Sequence, residues 1–294
     1  MRVAVTGAGG FIGKALVRAL LERGDSVTAF SRRPDSTIAD LPNLVAASWP
    51  PQGVFPAVDA VVHLAGEPVD GRWTTQKKAA IRASRVEGTR ELVAAIGAAR
   101  ERPTVLVSAS AIGYYGDRGD EVLTESSEVG SGYLADVCRQ WEQAAYEAES
   151  LGLRVATVRT GIVLDKDGGA LHKMLPPFRL GLGGPMGSGL QWFAWISRDD
   201  IVRLYLYLLD TPIDGPVNGT APNPVRQGDF AATLGSILHR PAILPTPFIP
   251  LKLAFGEFAA TLFHSQRVLP EKARRSGFTF RYPNLREALL AALS

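Results

Sequence analysis

Along the first two thirds of the chain, short apolar runs alternate with longer segments whose apolar positions recur every three to four residues. The runs Val3-Ala-Val5, Val27-Thr-Ala-Phe30, Asp59-Ala-Val-Val-His63-Leu-Ala-Gly66, Thr104-Val-Leu-Val-Ser108 and Arg154-Val-Ala-Thr-Val-Arg159 are rich in valine and bounded by glycine, proline or polar residues. They predict buried strands. Between the first two, Ile12, Leu16, Ala19 and Leu20 share one helical face, and Arg18, Glu22 and Arg23 fall on the other. Residues 74–99 and Tyr133–Leu151 predict two more helices, with Ile81, Leu92, Val93 and Ile96 facing the core in the first. Strands and helices in strict alternation predict an α/β fold, a mostly parallel sheet covered on both faces. After residue 165 the pattern changes. Leu175–Pro185 is punctuated by Gly and Pro, as at a helix end followed by a loop, and Ser197–Leu209 predicts a short helix. From Pro222 onward, helices separated by the proline-rich stretch Pro241–Pro250 predict a smaller, mainly helical lobe. The division expected is a main domain over 1–222 and a C-terminal lobe over 223–294.

One break in the pattern carries chemistry. Thr6-Gly7-Ala-Gly-Gly10-Phe-Ile-Gly13 turns the first strand into the first helix. In such a turn Gly7 permits the tight bend, Gly10 lets the backbone approach a phosphate, and Gly13 lets helix and strand pack closely. The helix start offers free N–H groups and a positive dipole end to an anion. Strand, turn, helix and second strand follow within about 30 residues, the length of a βαβ unit. These features predict a Rossmann-type, doubly wound sheet binding a dinucleotide pyrophosphate at Gly7, Gly10, Phe11, Ile12 and Gly13. The spacing is Gly-x-x-Gly-x-x-Gly, not the Gly-x-Gly-x-x-Gly of longer dehydrogenases. The second strand ends Phe30-Ser31-Arg32-Arg33, without the Asp or Glu that accepts the ribose 2′-hydroxyl of NAD. A guanidinium pairs with a 2′-phosphate where a carboxylate would repel it, so Arg32 and Arg33 point to NADP(H). The plainer alternative is a solvated loop pair.

Composition narrows the rest. With 294 residues, 46% hydrophobic and 21% charged, the chain is ordinary for a globular protein with a large core. Its net charge of +3 is spread without a basic block, which gives no case for nucleic acid. A single cysteine, Cys138, excludes an intramolecular disulfide framework, and four scattered histidines show no local zinc motif. The first strand-like run begins at residue 2, leaving no room for a signal peptide. The apolar stretch Phe248–Phe263 is interrupted by Pro250, Lys252, Gly256 and Glu257 and is too short to span a bilayer. The expectation is a cytoplasmic protein without membrane, metal or nucleic-acid partners. Helix 74–99 is a candidate face for a homodimer as well as for the core.

Several stretches together resemble the extended short-chain dehydrogenase/reductase superfamily, and within it the sugar-nucleotide epimerase-like proteins that carry a C-terminal extension. They are Thr6–Gly13, His63-Leu-Ala-Gly-Glu-Pro68, Gly71-Arg-Trp73, Ser108–Asp117, Cys138-Arg-Gln-Trp-Glu142, Arg159–Leu164, Lys173–Pro185, Gly256-Glu257, Gln266-Arg-Val-Leu-Pro270 and Gly277-Phe-Thr-Phe280. The resemblance runs almost end to end. It implies an NADP-binding domain, with residues 166–194 contributing to the substrate side together with the C-terminal lobe. It also implies that Leu64, Ala65 and Gly66 close a turn beside the adenosine half of the cofactor. Ser108, Ala109 and Ser110 then end a strand near the nicotinamide, flanked by Arg159, Thr160 and Gly161.

Catalysis in that superfamily uses a Ser or Thr, a Tyr, and a Lys four residues after the Tyr, whose charge lowers the tyrosine pKa. Ser110 matches the serine, and Tyr133 follows 23 residues later. The lysine position is Val137, and Arg139 lies on a different part of the helix surface. The signature is therefore broken, and Tyr115 is an alternative proton source. Each of these has a plainer reading: Ser110 as a strand-end hydroxyl, Tyr133 as a helix-start aromatic, Tyr114 and Tyr115 as a pocket wall. Cys138 reads as a small buried hydrophobe. Trp73, Tyr114, Gln191 and Trp192 are candidates for a substrate cleft, although the tryptophans, with Trp195, suit a core equally. Asp199-Asp200 is either a metal pair or a helix cap. The resemblance implies an NADP(H)-dependent oxidoreductase or epimerase-like enzyme acting on a small polar carbonyl compound or a nucleotide sugar. The broken signature leaves a non-catalytic NADP(H)-sensing module as the alternative.

Overall fold

Seven strands lie side by side and all parallel among the residues that the computed structural model describes, 1–31, 43–49, 55–246 and 248–294. They are β1 (Arg2–Thr6), β2 (Ser26–Ser31), β3 (Leu44–Ser48), β4 (Ala60–His63), β5 (Val105–Ala111), β6 (Arg154–Thr160) and β7 (Gly215–Gly219). Their spatial order is β7-β6-β5-β4-β1-β2-β3. Val5 sits between Ala29 of β2 and Val62 of β4, and Ser110 of β5 pairs with Arg159 of β6. The chain runs outward one way from β1 through β2 to β3, and the other way from β4 to β7. The reversal falls between β1 and β4, where open α/β sheets bind ligands beyond the strands' carboxyl ends.

The helices are α1 (Phe11–Glu22), α2 (Thr75–Gly97), α3 (Tyr133–Tyr146), α4 (Gly169–Arg179), α5 (Arg198–Asp210) and α6 (Gln227–Leu238), followed by shorter ones. The twofold alternation of each strand decides what each face meets. Val3, Val5, Val27, Val62 and Val107 pack against Leu16, Val17 and Leu20 of α1 and Ile201, Leu204 and Leu208 of α5. Ala4, Phe30, Val61, Leu106 and Val155 pack against Leu92, Val93 and Ile96 of α2 and Ala145 of α3. The helix expected over 133–151 ends at Tyr146 and tightens into a 3₁₀ turn over Glu147–Leu151.

A further core is shared by chain from both sides of residue 222. Leu164, Leu171, Phe178, Phe193 and Trp195 pack with Phe230, Leu234, Leu285 and Leu289. Trp195 is fully buried there. Asp200 fixes the C-terminal segment to the main body, because its buried carboxylate accepts from the backbone N–H groups of Arg281 (2.7 Å) and Tyr282 (2.9 Å). The cap of α5 is Ser197, whose hydroxyl accepts from the Asp200 N–H at 3.0 Å. Asp199-Asp200 is thus neither a metal pair nor the cap itself. No helix among the described residues is long and apolar enough to cross a membrane.

Candidate active site and cofactor cleft

The glycine turn stands at the reversal point of the sheet, and its three glycines do different things. Gly7 has φ +68°, and a Cβ on it would lie 2.7 Å from the carbonyl carbon of Leu64. A Cβ on Gly13 would come within 2.2 Å of the Gly7 carbonyl oxygen. Both therefore close the turn against backbone. Gly10 is exposed and extended (φ −76°, ψ 174°), and a Cβ there would meet only the Gly7 oxygen, at 3.1 Å. The space before it is open. Helix α1 starts with no side-chain cap and no acidic residue in its first turn, so its positive end is uncompensated. A dinucleotide pyrophosphate fits this cradle. The Phe11 ring packs beneath Gly168 and Gly169, leaving its backbone for the turn.

A buried hydrogen-bond chain sets the neighbouring turn. The Thr89 hydroxyl donates to the Arg85 carbonyl, and accepts from Nε2 of His63 at 3.0 Å. The Thr6 hydroxyl donates to Nδ1 of His63 at 2.6 Å, and accepts from the N–H groups of Leu64 (3.2 Å) and Ala65 (3.3 Å). Every donor has an acceptor only if His63 is neutral with its proton on Nε2. Burial, and then the nearby Arg85, lower its pKa to about 4, which keeps it so. The chain ties β1, β4 and α2 together behind Leu64, Ala65 and the exposed Gly66. The Arg85 guanidinium lies beside Gly66, its Cζ 3.2 Å from where a Cβ would stand.

At the ends of β5 and β6, several predicted site residues turn inward. Ser110 Oγ donates to Glu142 Oε1 at 2.6 Å. Arg159 forms a bidentate pair with the same carboxylate, at 2.8 and 2.9 Å, with both side chains about 95% buried or more. Arg159 also donates to the Tyr115 hydroxyl (3.0 Å) and lies 3.5 Å from the Tyr114 ring centroid. The Tyr115 hydroxyl donates to Asn218 Oδ1 at 2.7 Å. Burial opposes the Arg159 charge, but Glu142 more than restores it. Tyr115 is wholly buried, and burial pushes its pKa up to about 12. Its proton faces Asn218 and not an open cleft. Ser108 is buried as well, whereas Ala109, Thr160 and Gly161 are partly exposed at the strand ends. Gly161 is a close-approach position: a Cβ on it would lie 2.7 Å from the Ala194 carbonyl oxygen.

Tyr133 begins α3 and is half-buried. Its hydroxyl donates to the Lys78 carbonyl at 2.5 Å, while Ser110 is engaged with Glu142. Burial raises the Tyr133 pKa, with Arg85 and Arg82 opposing. Val137 is buried, and Cys138 is buried with its thiol pushed up to about 12. Trp73, 8% exposed, packs edge-on to Tyr133 (5.1 Å) and against Phe258 (5.5 Å), so it joins the C-terminal lobe to the main body. Gln191 borders an open depression of about 430 Å³ with Asp120, Arg226 and Ser265. The Trp192 indole lies beneath Arg226 (4.2 Å) and Arg267 (4.5 Å) and donates to Asp120 at 2.9 Å. Gln266 bridges the lobe to the end of β5 through the carbonyls of Ile112 (2.8 Å) and Gly116 (2.9 Å). Arg32 and Arg33 lie outside the described residues.

Glu142, Arg85 and His63 belong to this site without having been assigned a role by pattern. The signal for the first two is a charge inside an apolar helical stripe. Glu142 falls among Cys138, Trp141 and Ala145, and Arg85 among Ile81, Leu92 and Ile96.

A doubly wound parallel sheet with a glycine cradle at its reversal point, clasped by a helical lobe, defines a protein of the extended short-chain dehydrogenase/reductase class. Within that class the chain belongs to the NAD dependent epimerase/dehydratase family, whose model matches residues 3–221. Residues 246–292 match a domain of unknown function, DUF1731. The chain is 44% identical over 304 residues to the chloroplastic epimerase family protein SDR39U1 homolog of Arabidopsis thaliana, covering 100% of this chain and 87% of that protein. It is 36% identical over 296 residues to the epimerase family protein YfhF of Bacillus subtilis, covering 98% and 97%. Among solved structures, human epimerase family protein SDR39U1 (isoform 2) with NADPH superposes with a TM-score of 0.90 at 34% identity, covering 99% of both chains. MoeE5 in complex with UDP-glucuronic acid and NAD shares the fold, with a TM-score of 0.77 at 23% identity over 99% of this chain and 97% of that one.

Proposed function

We propose that this chain binds NADP(H) and acts as an oxidoreductase or epimerase-like enzyme on a small polar carbonyl compound or a nucleotide-sugar-like substrate. The observation that carries the reading is the open cradle before Gly10, set at the sheet's reversal point on an uncapped helix start. The NADPH in the human relative supports the choice of cofactor. Gly7, Gly10, Phe11, Ile12 and Gly13 hold the pyrophosphate. Leu64, Ala65 and Gly66 flank the adenosine half. Ala109, Thr160 and Gly161 line the nicotinamide side, with Ser108 and Arg159 buried behind them. Arg32 and Arg33 directly follow β2 in sequence and select the 2′-phosphate by charge. When bound, the cofactor supplies the hydride chemistry.

The protein's share is orientation and a proton. With its pKa raised, Tyr133 keeps its proton across neutral pH, which suits a donor to a carbonyl under reduction better than a base. Tyr133 takes that role over Tyr115, whose hydroxyl is buried in the Arg159 network. Ser110 stands at the serine position with its one proton on Glu142, so it can only accept from a substrate hydroxyl, and Trp73, Tyr114, Gln191 and Trp192 shape the substrate side. A second reading, a non-catalytic NADP(H) sensor, is favoured by Val137 at the lysine position and by the Tyr133 proton bonded to the Lys78 carbonyl. Following NADPH oxidation with a panel of aldehydes and ketones separates the two. The enzyme reading expects turnover with some members, and a loss of roughly 100-fold or more in kcat for Tyr133→Phe. Tight NADPH binding without turnover on any member selects the sensor.

A further inference from the structure

Arg85 is placed in a way that its packing does not explain. It sits on the core-facing side of α2, and its guanidinium stacks 5.0 Å from the Trp141 ring. One terminal nitrogen, Nη1, donates to the backbone carbonyls of Glu67 (2.9 Å) and Ile81 (3.2 Å). Among the described residues, Nη2 and Nε donate to nothing, and no carboxylate forms an ion pair with the group; the Glu67 carboxylate pairs with Lys77 at 2.8 Å. A half-buried cation with no carboxylate in ion-pair contact among the described residues carries a desolvation cost that a bound anion would offset. The guanidinium lies flat beside Gly66, its Cζ, Nη2 and Nη1 at 3.2, 3.3 and 3.4 Å from the position of a Cβ that this residue lacks. Gly66 is exposed, at the lip of the turn that the Thr6–His63–Thr89 chain holds in place. The last acceptor of that chain is the carbonyl of Arg85 itself, so the same bonds that set the turn set the base of this side chain.

We propose that Arg85 is a cofactor-binding residue, donating from Nη2 and Nε to the ribose–phosphate edge of the dinucleotide where it passes Gly66. It supplies from α2 the cation that α3 lacks at Val137. The proposal rests on the NADP(H) reading of the cleft. Burial lowers the arginine's basicity somewhat while Cys138, Tyr133 and Glu67 raise it; the group stays charged, and its field reaches Tyr133.

The test is NADPH titration of the intact chain, of Arg85→Met and of Arg85→Lys, with thermal midpoints measured alongside. The expected result is at least tenfold weaker NADPH binding for Arg85→Met, with most of the affinity recovered in Arg85→Lys. Unchanged affinity in a folded Arg85→Met overturns the role of Arg85 and leaves the NADP(H) reading standing. If the parent chain itself fails to bind NADPH, the reading of the cleft falls, and the Arg85 role with it. Modification of the parent by phenylglyoxal, mapped by peptide, needs no variant to fold: Arg85 is expected to react in the free protein and to be protected by NADPH. Equal labelling with and without NADPH counts against the proposal.

Discussion

At the scale of single residues, the glycine turn separates fold from function. Gly7 is required by its left-handed backbone and by the Leu64 backbone at 2.7 Å, whereas Gly10 has an ordinary extended backbone and a single close neighbour, the Gly7 oxygen at 3.1 Å. Gly7→Ala is therefore expected to destabilise the fold by about 2 kcal/mol or more. Gly10→Ala should change stability by only about 0.5 kcal/mol, yet weaken NADPH binding at least tenfold. Thermal melts and NADPH titrations of both variants check the contrast. His63 gives a pH signature. Its folded pKa of about 4 lies below the 6.5 of a free imidazole, so the unfolded chain takes up the proton first. Its contribution is fully present above pH 6.5 and is lost as pH falls towards 4, by roughly 3 kcal/mol in full. Urea unfolding at pH 7.5 and 4.5 should show a smaller acid loss in His63→Gln than in the parent; equal losses would mean that His63 is not buried neutral. The glycines were legible because their spacing is itself the signal. The hydrogen bonds of His63 were not, since Thr6, His63 and Thr89 are brought together only by the sheet and by α2.

At the scale of elements, α3 holds the carboxyl end of the sheet at β5 and β6. Its buried Glu142 faces Arg159 of β6 and Ser110 of β5 at once, so one carboxylate fixes two strand ends. Removing it leaves Arg159 charged and buried without a counter-charge. Glu142→Ala is expected to cost about 3–5 kcal/mol, read as a lowered urea midpoint; a loss below about 1 kcal/mol would mean that the pair is wet and weak. Periodicity predicted α3 and its apolar stripe, because helix and core face follow from the 3.6-residue repeat. It did not predict the Glu142 partners, which sit on strands whose register the sequence pattern leaves open. Nor did it predict that the helix tightens after Tyr146.

At the scale of the whole molecule, alternation of strands and helices was enough to expect a parallel, doubly wound sheet, since the connections allow little else. The lobe was harder to read. Its hold on the main body comes from contacts between segments distant in sequence: Trp73 with Phe258, Gln266 with Ile112 and Gly116, Asp200 with Arg281 and Tyr282. Such pairs have no local period to reveal them. The lobe's core also draws on residues 164–195, which precede it in sequence. The glycine cradle, Gly66 and the ends of β5 and β6 lie along the carboxyl edge of the sheet. The most direct test of the account is titration of the purified chain with NADPH and NADH, followed by its five tryptophans and the nicotinamide fluorescence. The account predicts binding of both, with NADPH at least tenfold tighter, and a larger loss for NADPH than for NADH in Arg32→Asp. Binding of neither nucleotide would contradict it and leave the glycine turn as structure alone.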